Sequence, residues 1–180
     1  DLVVRQIIIG KSGYQPGHLV ADNVTFTATT GYVRLAYHGS STMSLTDCVF
    51  QGHTGSFALY VYAGEATIDN CTFLGDGAAY AIGMYVGTVT VTGCTFDGFD
   101  YPFYVQRANL TVSGNDYSGC TYQIVAVGGD IKGDMTWKSS WGLPLRLVNH
   151  VTVFSEATLT VEPGLEVDLG PYTLVIGKSG

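Results

Sequence analysis

Charge is scarce in this chain. Asp, Glu, Lys and Arg make up 13% of 180 residues and the net charge is -7, which excludes a nucleic-acid-binding module driven by phosphate contacts. Apolar residues reach 46%, too many for a disordered tail or a coiled coil. No uninterrupted apolar run approaches the length of a membrane span, and no basic start with an apolar stretch and cleavage site marks a signal peptide. The sequence opens mid-pattern with DLVVRQIII, as a mature or excised segment would. Four cysteines without a CxxC pair exclude zinc and thioredoxin-type chemistry and are too few for a disulfide scaffold. HxH and HExxH spacings are missing as well. His18, His38, His53 and His150 are scattered among turns and read as surface residues.

Glycine, threonine, valine and tyrosine are abundant instead, and short runs such as TVTVTG and ATLTVEPG alternate apolar and polar residues. This is an all-β pattern in a chain sized for one domain. The strands also repeat. LTDCVFQG at 45–52, IDNCTFLG at 68–75 and VTGCTFDG at 91–98 superpose at steps of 23. Weaker copies flank them: ADNVTFTA places Phe26 one step before Phe50, and VSGNDYSG places Tyr117 one slightly shorter step after Phe96. A period of this size suits a leucine-rich repeat or a β-solenoid. The Leu/Asn consensus of the former is missing and no helical face separates the strands, so the reading is a β-solenoid.

Alternation assigns the faces, because neighbouring side chains of a strand point to opposite sides. Phe26, Phe50, Phe73, Phe96 and Tyr117 form one inward column. Two positions earlier, Val24, Cys48, Cys71, Cys94 and Asn115 form another. With coils roughly 4.8 Å apart neighbouring cysteines lie near disulfide range, but three stacked thiols in an apolar interior read as small buried hydrophobes. Cys120 lies outside this column.

These copies, of the form I/V/L-x-x-[N/C]-x-F-x-G, resemble the right-handed parallel β-helix of pectate-lyase-like proteins over roughly residues 19–127. In that family the slot two before the aromatic is often an Asn ladder. Here Asn115 keeps it and three Cys replace it. LPLRLVNHVTVFSEATLTVEPGLEVDLG at 143–170 is similar to a coil of bacterial and archaeal surface β-helix proteins. The resemblance implies a right-handed parallel β-helix of about seven to eight coils with uncapped ends. It identifies no enzyme, since the fold hosts lyases, hydrolases, tailspikes, adhesins and fibres alike.

The two ends match each other. DLVVRQIIIGKSG at 1–13 aligns without gaps on DLGPYTLVIGKSG at 168–180, with seven of thirteen pairs identical. Residues 1–167 therefore read as one unit and 168–180 as the start of the next, in one continuous solenoid. The shared GKS is not a phosphate-binding loop, because the glycine required five positions earlier is Arg5 in one copy and Tyr172 in the other.

Candidate site residues are few. Asp76, Asp97 and Asp100 fall near one turn of two adjacent coils and are the nearest approach to paired acids or a calcium site, but no Lys or Arg accompanies them. They read as solvated turn residues, with no catalytic residue, metal or cofactor expected. Tyr37, Tyr62 and Tyr85, at steps of 25 and 23, point outward if Val61 and Met84 point inward, with Tyr60 and Tyr104 widening the patch. Such a row can stack on sugars, pack against a neighbouring fibre, or serve only as good β-surface pairs. Asn23, Asn70 and Asn109 head N-x-T sequons and are candidates for N-glycosylation, the first two in one turn column. Thr25, Thr72 and Thr95 share an outward column, but Val49 and Asp116 interrupt it, which weakens an ice-binding reading.

The sequence thus predicts a structural repeat or subunit of an extracellular or cell-surface filament, stalk or fibre. Its partner is another copy of itself, stacked between Leu174, Val175 and Ile176 at one end and Ile7, Ile8 and Ile9 at the other. The alternative is a glycan-binding adhesin or a carbohydrate-active enzyme on the same fold, with surface glycans as partner.

Overall fold

The computed structural model describes residues 2, 3, 7–10, 15–27, 33–35 and 39–179. Every strand pairing in them is parallel, and the sole helical piece is the single 3-10 turn Ser139–Trp141. The strands wind as a solenoid with three walls. On the first wall, Ile7 pairs with Val33 and the column continues through Leu59, Ile82, Phe103, Val125 and Leu145 to Val167. From Ile7 to Val167 the chain makes seven turns, within the predicted range, and the mean step per turn matches the repeat of 23 in the sequence.

The second wall carries His18–Asp22, Thr42–Thr46 and Glu65–Asp69. The long strands Tyr80–Thr92 and Tyr101–Ser113 run through the corner and serve both walls. Later on this side, Gly129–Ile131 pairs with Val151–Val153, and Val151 with Leu174. The third wall is the six-stranded sheet from Leu2–Val3 to Asp116–Gly119, followed in chain order by the pair Met135–Trp137 and Leu159–Val161.

The predicted inward columns hold. Phe26, Phe50, Phe73, Phe96 and Tyr117 stack along the axis with ring centroids 4.9, 4.7, 5.0 and 5.5 Å apart. Parallel in-register pairing forces this, since Phe50 pairs with Phe26 and Phe73, and Phe73 with Phe96. Cys48, Cys71 and Cys94 are buried and free beside them, and Cys120 is buried as well. Asn115 closes the cysteine column: its Oδ1 accepts the Cys94 N–H (2.8 Å), and its Nδ2 donates to the Val91 carbonyl and the Tyr117 hydroxyl (each 3.0 Å). The buried Trp141 donates its indole N–H to the Leu110 carbonyl at 2.9 Å.

One expectation is corrected. His53 is not a surface residue but fully buried, with its ring 6.3 Å from Phe50. Gly52, at φ 71°, breaks the strand alternation, so the next side chain turns inward. His18 and His150 are exposed as expected, and His38 lies outside the described residues.

Burial sets the thiol chemistry. Cys71 is held well above the ordinary thiol range by its hydrogen bond with Cys94 and by desolvation, and burial likewise raises Cys48. Thiolates are the reactive form. All four thiols are also shut away from solvent, so native protein is expected to resist a bulky maleimide for as long as it stays folded, with all four reacting once denatured. Rapid native labelling of Cys48, Cys71 and Cys94 would reverse the inward and outward assignment of every coil. Cys71→Ala is expected to cost only about 1 kcal/mol, read from a denaturation curve.

Candidate functional site

The outer surface of the first wall carries an aromatic ladder. Strands beginning FALYV, YAIGM and YPFYV place Phe57, Tyr80 and Tyr101 one above another, and Tyr122 extends them. Ring centroids are 5.5, 5.5 and 5.0 Å apart with interplanar angles of 25–27°. The ladder needs small residues beneath it. A Cβ on Gly83 would lie 2.3 Å from the Phe57 ring, and Ala58, Ala81 and Ala126 are fully buried although their parity faces outward. Tyr60 and Tyr104 flank the ladder, with centroids 4.9 and 6.1 Å from Phe57.

Of the predicted tyrosine row, Tyr62 and Tyr85 face outward, as Val61 and Met84 are fully buried, and they stack at 4.7 Å. Tyr37 lies outside the described residues. The Arg107 guanidinium sits 4.8 Å over the Tyr85 ring. Neighbouring coils thus occupy much of the ring faces of both rows.

The ladder borders an open groove of about 460 Å³, lined among others by Tyr80, Tyr101, Arg146, Asp168, Pro171 and Tyr172. Arg146 and Asp168 are paired register partners on adjacent coils, and Arg146 Nε donates to Asp168 Oδ2 at 2.8 Å. The guanidinium also lies 5.1 Å from the Tyr122 ring centroid. The Gly170 N–H, and then Arg146, hold the Asp168 carboxyl below the usual carboxylate range. Burial pushes the Tyr80 hydroxyl up to about 12. At neutral pH the groove therefore offers one ion pair and the neutral Tyr80 phenol, a set suited to hydrogen-bonding a neutral polar ligand. Asp168 is the one acid among its described lining residues.

Asp76, Asp97 and Asp100 are exposed, and among the described residues no three His, Cys, Asp or Glu side chains are grouped so as to hold a metal ion. Asn23 and Asn70 occupy the predicted turn column with φ of 54° and 52°, and Asp47 between them has 52°. All three are exposed, as is Asn109 on the second wall. The Asn70 amide donates to the Asp47 carboxylate.

The axial residues divide by parity. Leu174 and Ile176 extend the core columns of Val151 and Val153, yet Ile176 is 71% exposed whereas Val153 is fully buried. Val161 similarly continues from buried Trp137 and is 44% exposed. Ile9 is buried, while Ile8 and Val175 are exposed on the outward parity.

Sequence reasoning missed the Phe57, Tyr80, Tyr101 ladder and the groove beside it. The ladder had a signal, since these aromatics begin successive first-wall strands at close to the repeat step. The groove had none, because it needs residues 168–172 folded back beside Tyr80 and Tyr101. Among known proteins, residues 8–130, about two thirds of the chain, match the family model described as the right handed beta helix region. No curated protein and no solved structure matches the chain.

Proposed function

The chain belongs to the right-handed β-helix family, and on that premise we propose that it is a structural unit of an extracellular or cell-surface filament, stalk or fibre whose copies continue one another along the solenoid axis. The observation that carries this reading is the recurrence of segment 1–13 as segment 168–180, the second copy forming a rung whose inward Ile176 is 71% exposed on a core column. Such a rung has unpaired backbone groups and apolar side chains along one edge, the surface on which another parallel strand adds. Low charge and glycine-rich turns suit an exposed rod. A unit of about seven turns spans on the order of 34 Å, at roughly 4.8 Å per turn.

Concentration-dependent sedimentation and negative-stain microscopy test the reading. Axial oligomers or rods are expected at high concentration, and Ile176→Asp is expected to abolish them while leaving the circular dichroism unchanged, because the new carboxylate sits on the joining face. A chain that stays monomeric at every concentration, alone and as joined copies, would sink it.

The groove beside the aromatic ladder favours a second reading, a glycan-binding adhesin or carbohydrate-active β-helix. The Tyr80 phenol and the Arg146–Asp168 ion pair are groups that hydrogen-bond sugar hydroxyls. Titration with an oligosaccharide panel checks it. Binding that is lost in Arg146→Ala would support the adhesin, and polysaccharide turnover that vanishes in Asp168→Asn would support the enzyme.

A further inference from the structure

The strand pairings determine how one copy is turned against the next. Seven whole turns along the first wall carry Ile7 to Val167. The match between the two ends instead carries Ile7 to Leu174, seven positions further on, and seven is about a third of the step of 23 that closes one turn. Strand pairing gives the same offset independently. Leu174, the counterpart of Ile7, does not continue Ile7's column, which ends at Val167. It lies one wall further on, paired with Val151.

We infer that successive copies join with a one-wall advance, each turned by about a third of a turn about the solenoid axis, so that the first wall of one copy continues the second wall of its predecessor. The inference rests on the reading that copies continue one another along the axis, and it specifies the register of that contact with a second copy of this chain. In this register Leu174–Lys178 is the first-wall rung of the next copy, already seated on Leu145–Phe154, and its inward side chains prolong the core columns of Val151 and Val153. A surface confined to one wall of a unit, such as the aromatic groove, then points in three directions along the fibre. It returns to the same side after three copies, about 22 turns or on the order of 100 Å at roughly 4.8 Å per turn.

The register is tested in two copies of the chain joined so that Tyr14 of the second follows Gly180 of the first. With a one-wall advance, His18–Asp22 of the second copy adds to the third wall over Leu159–Val161. Its exposed Val20 then neighbours Thr160, which is exposed and lies between the inward Leu159 and Val161. With no advance, the rung Leu174–Lys178 leaves Val151 for the first wall, and Val20 lies instead over Thr152, between the inward Val151 and Val153. The joined protein is made with two alternative cysteine pairs, Thr160→Cys with second-copy Val20→Cys, or Thr152→Cys with second-copy Val20→Cys. The native cysteines are buried and do not compete. Mild oxidation is expected to cross-link the first pair and leave the second free, and cryo-electron microscopy of the joined pair is expected to show a rotation of about a third of a turn between copies. Cross-linking of the second pair, with no rotation between copies, would overturn the one-wall advance and leave axial stacking intact. Two halves that tumble as separate bodies in small-angle scattering would overturn stacking itself, and the advance with it.

Discussion

Phe73→Ala is expected to lower the unfolding free energy by about 3–5 kcal/mol, a large share of the roughly 5–15 kcal/mol that holds a domain folded. Phe73 is fully buried and stacks on both neighbours, 4.7 Å from Phe50 and 5.0 Å from Phe96, with planes within 8° of parallel. Truncation removes the transfer energy of the ring and two aromatic contacts of about 0.5–1.5 kcal/mol each. It also leaves a cavity that cannot collapse, because the strands above and below are pinned by in-register pairing to Val49–His53 and Thr95–Asp97. The measurement is equilibrium denaturation of both proteins. Phe26→Ala serves as the internal control and should cost less, since Phe26 stacks on Phe50 alone among the described rings. A loss below about 1.5 kcal/mol for Phe73→Ala, the range of well-tolerated core swaps, would mean that the column relaxes and the pairing is softer than the geometry implies.

Cys71→Asp should be worse than Cys71→Ala by several kcal/mol, and Cys71→Asn should recover much of the difference. Cys71 is 1% exposed between two other thiols, and an ionised carboxylate there has no cation to pair with. An asparagine in the same column already has partners, as Asn115 shows by accepting the Cys94 N–H and donating to the Val91 carbonyl. The column is periodic, so an asparagine at 71 meets the equivalent backbone groups of the preceding coil. The aspartate variant should also depend on pH in a defined direction. Burial raises the folded-state pKa of the new carboxyl above its unfolded value of about 3.9. Its ionisation penalty is therefore absent below about pH 4, grows as pH rises between the unfolded and folded pKa values, and is constant above the latter. Thermal melts of the aspartate and asparagine variants from acidic to neutral pH check both claims. Equal stability of the two variants at neutral pH would show that the cysteine column is open to water.

The solenoid, its period and the two inward columns were legible in the sequence. Parallel pairing in register places the same residue type at the same place in every coil, so a three-dimensional stack is written as a one-dimensional period. Phe50, Phe73 and Phe96, with Cys48, Cys71 and Cys94, recur at steps of 23 for that reason. The tyrosine parity was legible on the same ground, since Val61 and Met84 fix which way Tyr62 and Tyr85 point. Where a single residue breaks the period, the sequence misleads. Gly52 at φ 71° turns His53 inward, because one residue in the left-handed region reverses the alternation beyond it. What only the tertiary structure decided are the relations between segments of unequal coil length. The groove joins Tyr80 and Tyr101 to Arg146 and Tyr172 across several coils, and the matching ends lie on different walls. Sequence identity reports which segments are alike. Where they fall around the axis depends on the summed lengths of all the turns between them, which only the folded backbone adds up.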